Sequence, residues 1–178
     1  MKQVRFCGLG GQGIVLAGLL LGEAGVMEGK YVAGANSYGA QARGSACTAE
    51  VILSEGPIDF PHVTAADVLV AMSQGAYDLY RGSVGGDGLV LYDTSPVRPG
   101  THPDVRHVGI GATDAAIKTL MNKQAANIVL LGALVETVSL VGPKALEKAM
   151  RKHVGQRFLS LNLEAFETGR ELARRTHG

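Results

Sequence analysis

At 178 residues, with 46 % hydrophobic side chains, the chain is long enough to bury a substantial core as one compact domain without help from disulfides or metals. Its net charge of +1, with no basic block, argues against a long electrostatic track for nucleic acid. No uncharged apolar run reaches the roughly 18 to 20 residues that cross a bilayer, and residues 4–9 are too short for a signal-peptide core, so a cytoplasmic protein with no membrane span is expected.

Residues 4–7 are a short apolar run ending in glycine, and residues 14–27 then carry apolar side chains densely at helical spacing. This reads as strand, turn, helix, a Rossmann-like opening. The turn, GLGGQG, fits G-x-G-x-x-G through Gly8, Gly10 and Gly13, where backbone amides and a helix N-terminus favour a phosphate. By itself the pattern is weak. A dinucleotide site also needs an acidic residue about 20 positions on, at the end of the second strand; that region reads VAGANS, and Glu28 precedes the strand instead. Three readings stand: a dinucleotide, a phosphate or other polar ligand, or a purely structural turn, the second being favoured.

The second strand covers residues 31–35, and residues 36–45, NSYGAQARGS, read as an irregular polar loop. Within it Arg43, among Ser37, Tyr38 and Ser45, offers donors to a phosphate or carboxylate; the plainer reading is a surface arginine paired with a nearby carboxylate. Residues 46–54, ACTAEVILS, are β-prone with Glu50 as the only charge. GPIDFP breaks that strand, residues 67–72 suit a central strand covered on both faces, and residues 74–81 fit a short helix. The glycines of residues 85–88 read as a turn before the strand LVLYD, and residues 105–110 supply a further strand.

Helices then dominate: residues 113–121 with Thr113 as N-cap, an almost wholly apolar helix at 124–140, an amphipathic one at 143–153 with Pro143 in its first turn, and a charged surface helix at 164–175 capped by Asn162. The alternation predicts an α/β protein, a three-layer α/β/α sandwich on a mostly parallel sheet in which ACTAEVILS runs antiparallel. Such sheets bind ligands at the carboxyl ends of their strands, which puts the glycine turn and the 36–45 loop on one rim.

Cys7 and Cys47 stand alone, without C-x-x-C spacing, and read as small buried hydrophobes. GGDG has the letters that open a thiamine diphosphate motif, but the next asparagine, Asn122, is distant and the turn precedes a strand. The five histidines form no ligand spacing such as H-x-x-x-H. No catalytic residue and no metal ligand is assigned.

GLGGQG with its alanine- and leucine-rich helix, then SYGAQARGS, PIDFP, ADVLVAMSQGAYD and NIVLLGALVETVSLV, in this order over nearly the whole chain, resemble the gamma subunit of 2-oxoacid:ferredoxin oxidoreductases. MSQGAYD and LNLEAFETG resemble the 2-oxoglutarate or branched-chain branch. The resemblance implies a subunit of a complex that oxidatively decarboxylates a 2-oxoacid, passes the acyl group to coenzyme A and reduces ferredoxin. It further implies that thiamine diphosphate with magnesium lies in alpha and beta partner subunits, and iron–sulfur clusters in cysteine-rich chains such as a ferredoxin-like delta subunit or ferredoxin.

On that reading this chain binds none of those groups alone. Its rim residues Gly8, Gly10, Gly11, Gln12 and Gly13, with Ser37, Tyr38, Arg43 and Gly44, face a partner and the phosphates of coenzyme A. The family loop commonly runs tyrosine-glycine-proline-glutamate, then arginine and two glycines; here Ala40, Gln41 and Ser45 are the departures, while Arg43 and Gly44 remain. A subunit of a permanent complex exposes apolar surface when isolated, so the lone chain is expected to self-associate. The alternative is a free-standing nucleotide-binding module or redox sensor built on the same turn.

Overall fold

Six strands form one sheet in the order β2-β3-β1-β4-β5-β6, in a computed structural model that describes residues 1–39, 45–100 and 104–177. Arg43 and Gly44, with Ala40 and Gln41, lie outside the described residues. The strands are β1 (Lys2–Leu9), β2 (Tyr31–Tyr38), β3 (Ala46–Ser54), β4 (Ala66–Ala71), β5 (Val84–Asp93) and β6 (Arg106–Ile110). The helices are α1 (Ile14–Met27), α2 (Gln74–Tyr80), α3 (Ala112–Lys118), α4 (Ala126–Val138), α5 (Pro143–His153) and α6 (Gln156–His177).

β1, β4, β5 and β6 pair in parallel, and β3 is antiparallel to both β1 and β2, as expected for ACTAEVILS. Side chains alternate across the sheet. Val4, Phe6, Val68, Val70 and Leu91 face one core, shared with α1, α3, α4, α5 and α6. Cys7, Leu69, Ala71 and Val90 face a smaller one under α2, around Ala76 and Tyr77. The sandwich is therefore lopsided, with five helices over one face. Among the described residues, no helix is long and apolar enough to cross a membrane.

Arg5 and Glu50 stand directly opposite each other on β1 and β3, with Arg5 buried and Glu50 half-buried. Arg5 Nε and Nη2 donate to Glu50 Oε1 at 2.9 and 2.6 Å, Nη2 also reaches the Val63 carbonyl, and the guanidinium lies 5.3 Å from the centre of the Tyr80 ring. Glu50 Oε2 accepts the Val63 amide at 3.1 Å. A buried charge needs such partners, and here they fasten the β3–β4 connection to the sheet.

Several expectations are corrected. β2 runs on through Asn36, Ser37 and Tyr38, which pair with Ala49, Thr48 and Cys47, so Ser37 and Tyr38 are strand residues. The GGDG segment is part of β5, absorbed by a register shift opposite Ala66 and Val68, and is not a turn ahead of the strand. α3 begins before Thr113, whose amide and hydroxyl both donate to the buried Asp93 carboxylate; Thr113 caps nothing. α4 is shorter than expected, preceded by a 3-10 turn at Lys123–Ala125 and ended by Ser139 at φ 34°. α6 starts near residue 156, so Asn162 lies inside it and donates to the Phe158 carbonyl.

The longest helix packs against the most buried one backbone to backbone. A Cβ on Gly132 of α4 would overlap the Phe166 carbonyl, and one on Gly169 of α6 would overlap the Val129 carbonyl. Two glycines facing each other thus set how closely α4 and α6 approach.

Candidate functional site

The chain leaves β1 for β2 on one side of the sheet, and β4, β5 and β6 extend the other side. The carboxyl ends of β1 and β4 therefore flank the point where the strand order reverses, the usual ligand crevice of such sheets. Here that crevice is bridged by a side chain. Gln12 Oε1 accepts the Leu9 amide at 2.6 Å, and Gln12 Nε2 donates to the Met72 carbonyl at 3.0 Å. The Met72 amide in turn donates to the Cys7 carbonyl at 2.8 Å.

Gly8 and Gly13 of the G-x-G-x-x-G spacing have an internal reason to lack a side chain, while Gly10 contributes a backbone bond. A Cβ on Gly8 would lie 2.6 Å from Gln12 Oε1 and 2.8 Å from Ile14 Cδ1. The Gly10 amide donates to the Ser45 carbonyl at 2.9 Å, joining the turn to the start of β3. Gly13 has φ +74°, and a Cβ there would overlap the amide of Asn127, whose Nδ2 donates to the Gly13 carbonyl at 3.0 Å. Gly11, at φ +95°, is exposed, with open space where a Cβ would stand.

Two clefts meet at Gly11. One, of about 360 Å³, lies among the N-terminal ends of α1, α4 and α6, with Gly13, Asn122, Asn127, Gly155 and Phe158 in its walls. None of those helices has an acidic residue in its first turn, so their ends form the side of the cleft that favours an anion, while the C-terminal end of α5 at His153 and Val154 forms another wall. His153 lines the same cleft and sits 3.2 Å from Glu23. The other, of about 340 Å³, is lined by Gln12, Met72, Thr113, Lys123 and Gln124.

Of the residues expected at the rim, Gly8 to Gly13 form one turn. Ser37 and Tyr38 are exposed at the same end of the sheet but two strands away from β1, about 10 Å by strand spacing. Asn127, Met72 and Lys123 were not legible as site residues, although Asn127 is the single polar residue opening an otherwise apolar run.

The dinucleotide reading finds no support in this geometry. β2 ends in Asn36, Ser37 and Tyr38, with no carboxylate, and Glu28 is engaged elsewhere, accepting the Gly142 amide at 2.6 Å. A redox sensor needs an accessible thiolate. Burial pushes the Cys7 thiol up to about 12, and Cys47 is raised by burial as well. The residues do not fit thiamine diphosphate either. Asp87 lies toward the amino end of β5, whereas Asn122 lies at the opposite, carboxyl rim and accepts the Gln124 amide. Among the described residues, no three His, Cys, Asp or Glu side chains converge to hold a metal.

Residues 3–172 match the profile of the pyruvate ferredoxin/flavodoxin oxidoreductase family, and the chain belongs to that family. Within it, the KorC subunit of 2-oxoglutarate synthase from Methanocaldococcus jannaschii is 40 % identical over 176 residues, covering 97 % of this chain and 94 % of that protein. Its counterpart from Methanothermobacter thermautotrophicus is 37 % identical over 178 residues, covering 96 % and 94 %. The crystal structure of the keto/oxoacid ferredoxin oxidoreductase gamma subunit from Geobacter sulfurreducens superposes with a TM-score of 0.89 at 35 % identity, over 98 % of this chain and 97 % of that one. A 2-oxoglutarate:ferredoxin oxidoreductase from Magnetococcus marinus, solved with 2-oxoglutarate, coenzyme A and succinyl-CoA bound, shares the fold at TM-score 0.88 and 24 % identity, over 98 % of this chain and 31 % of that one.

Proposed function

We propose that this chain is the gamma subunit of a cytoplasmic 2-oxoglutarate:ferredoxin oxidoreductase. Its partners are alpha and beta subunits and a ferredoxin-like delta subunit or ferredoxin. The observation that carries the reading is the end-to-end likeness to KorC subunits, 40 % identity over 97 % of the chain. In the complex, thiamine diphosphate with magnesium, held by the partners, supplies the decarboxylation chemistry, and iron–sulfur clusters outside this chain carry the electrons.

The chain's own part is to shape and charge one wall of the coenzyme A site. Gly11 is exposed between two clefts, Gly13 opens α1, and Lys123 adds a cation on the far side of the turn. Backbone amides and helix dipoles of this kind hold phosphate without a dedicated side chain. Arg43, Gly44, Ser37 and Tyr38 are the further contacts we assign to coenzyme A or to a partner subunit. Gly8, Gly10 and Gln12 act beneath them, holding the turn in shape.

Co-expression with the neighbouring thiamine-motif and ferredoxin-like chains tests this reading. The complex is expected to reduce ferredoxin with 2-oxoglutarate and coenzyme A, with pyruvate and branched-chain oxoacids far behind. Arg43→Ala is expected to raise KM for coenzyme A at least tenfold with 2-oxoglutarate KM unchanged. Failure of this chain to co-purify would overturn the assignment; unchanged coenzyme A affinity would remove Arg43 from the site.

A further inference from the structure

The sheet has one open edge of unusual character. In an antiparallel ladder, alternate residues exchange both of their hydrogen bonds with the neighbour, and the residues between them point theirs the other way. The Gly39 amide donates to the Ala46 carbonyl, and the β2–β3 register runs unbroken from Tyr31 opposite Ser54 to Tyr38 opposite Cys47. Tyr31, Ala33, Ala35 and Ser37 therefore bond β3, and the backbone groups of Val32, Gly34, Asn36 and Tyr38 point outward. The bond from Gly10 to the Ser45 carbonyl gives the same phase from the other side of β3. Among the described residues, no strand pairs with β2 on that outer side.

Edges are normally protected by charge, proline, a bulge or brevity. β2 is eight residues long, YVAGANSY, with no charge, no proline and no register shift. The opposite edge, β6, is five residues long and opens with Arg106.

We propose that a second copy of this chain adds to this edge, β2 against β2, antiparallel across a two-fold axis at Ala35. This register sets every outward residue of one copy against an outward residue of the other: Val32 opposite the partner's Tyr38, and Gly34 opposite the partner's Asn36. The four pairs each exchange two backbone hydrogen bonds. Shifting by one residue would oppose outward groups to inward ones, and shifting by two would leave some unpaired.

The side chains agree with the symmetry. A valine facing a tyrosine is a favourable cross-strand pair, and a strand without charges meets its own copy without opposing like charges. Leu19 on α1 is 48 % exposed and lines the same groove as Gly34 and Ala35. An axis through Ala35 therefore has an exposed Leu19 beside it in each copy, and Glu23, one turn along α1 in the same groove, is paired with Lys152. The proposal stands on the edge itself and does not depend on the enzymatic reading.

Sedimentation of the full chain from about 1 to about 200 µM tests it, the span in which modest interfaces associate. The expected mass rises from 18.5 kDa to twice that value. Hydrogen exchange at Val32, Gly34, Asn36 and Tyr38 slows with concentration, while Ala33, Ala35 and Ser37 are unaffected. Asn36→Pro removes an outward amide and spares the β2–β3 ladder, and is expected to weaken dimerisation at least tenfold with an unchanged circular dichroism spectrum. Leu19→Glu, which adds a carboxylate beside the axis in each copy and leaves the strand intact, does the same. A chain that stays monomeric throughout, or a dimer indifferent to both variants, overturns the proposal. So does protection of the outward amides only when the thiamine-bearing subunits are added, which would assign the edge to a different strand.

Discussion

Gln12 fastens the end of β1 to the end of β4 by reaching the Met72 carbonyl at 3.0 Å while its oxygen takes the Leu9 amide at 2.6 Å. One side chain thus satisfies both a backbone donor and a backbone acceptor at the reversal of strand order. Gln12→Ala leaves the Leu9 amide and Met72 carbonyl without these partners. It is expected to cost about 1–3 kcal/mol of stability, read from the midpoint of urea unfolding.

Gly8→Ala should be costly for a related reason, since its Cβ would press on Gln12 Oε1 and Ile14 Cδ1. Overpacking of this kind costs about 1–3 kcal/mol. In a Gln12→Ala background one of the two obstructions is gone, so the cost of Gly8→Ala should shrink by about 0.5 kcal/mol or more in a double-mutant cycle. Additive effects would show that Gly8 is needed for some other reason.

The contact of α4 with α6 gives a sharper contrast. Gly169→Ala drives a methyl group into the Val129 carbonyl, which is backbone and has nowhere to retreat. A loss of about 3 kcal/mol or more is expected. Gly75, in the first turn of α2, has nothing within 4 Å of its Cβ position. Gly75→Ala should be neutral or stabilising by up to about 1 kcal/mol. Thermal melts of the two variants side by side decide the point.

Acid sensitivity should follow two carboxylates that tie helices together. Lys152 of α5 donates to Glu23 of α1, and Arg174 of α6 donates to Glu136 of α4; each bond holds its carboxyl below the ordinary value of 4.5. A depressed carboxyl contributes stability that is fully present above its unfolded value and is lost as pH falls through the folded one. The melting temperature should therefore decline as pH drops below 4.5, and Glu136→Gln should make that decline shallower. An identical acid profile for the variant would assign the acid loss to other groups.

Both thiols should be silent in the native chain. Cys7 and Cys47 are buried, and burial raises the values of both. Iodoacetamide at pH 8 is expected to label neither within an hour when native, and both in urea; rapid native labelling would show that the region under the turn opens.

Much of the architecture was readable from pattern. The β1–turn–α1 opening, the antiparallel ACTAEVILS and the helix starting at Pro143 each follow from apolar spacing or a fixed-φ residue. Asn36, Ser37 and Tyr38 were misread because polar residues beside a glycine look like a loop, whereas on an edge strand their side chains have solvent to point into. GGDG misled similarly: a register shift lets β5 carry glycines that elsewhere make a turn. The first two turns of α6 were missed because Asn162, read as its cap, instead bonds one turn back to the Phe158 carbonyl within a longer helix. The candidate site was legible as a glycine turn but not as a locked one. The partners that lock it, Met72 and Asn127, lie 60 and 114 residues from their counterparts, and sequence spacing says nothing about such pairs.

The wedge of β3 between β1 and β2 governs the order in which the chain is able to gain order on the ribosome. β1 and β2 do not pair with each other, so a nascent chain ending before Ala46 has two strands and a helix but no ladder to join them. Only when ACTAEVILS emerges does the first half acquire a sheet, and it then closes at once on both sides. A pause during translation just upstream of that segment would leave β2 exposed for longest, at the stage when stray pairing is most harmful.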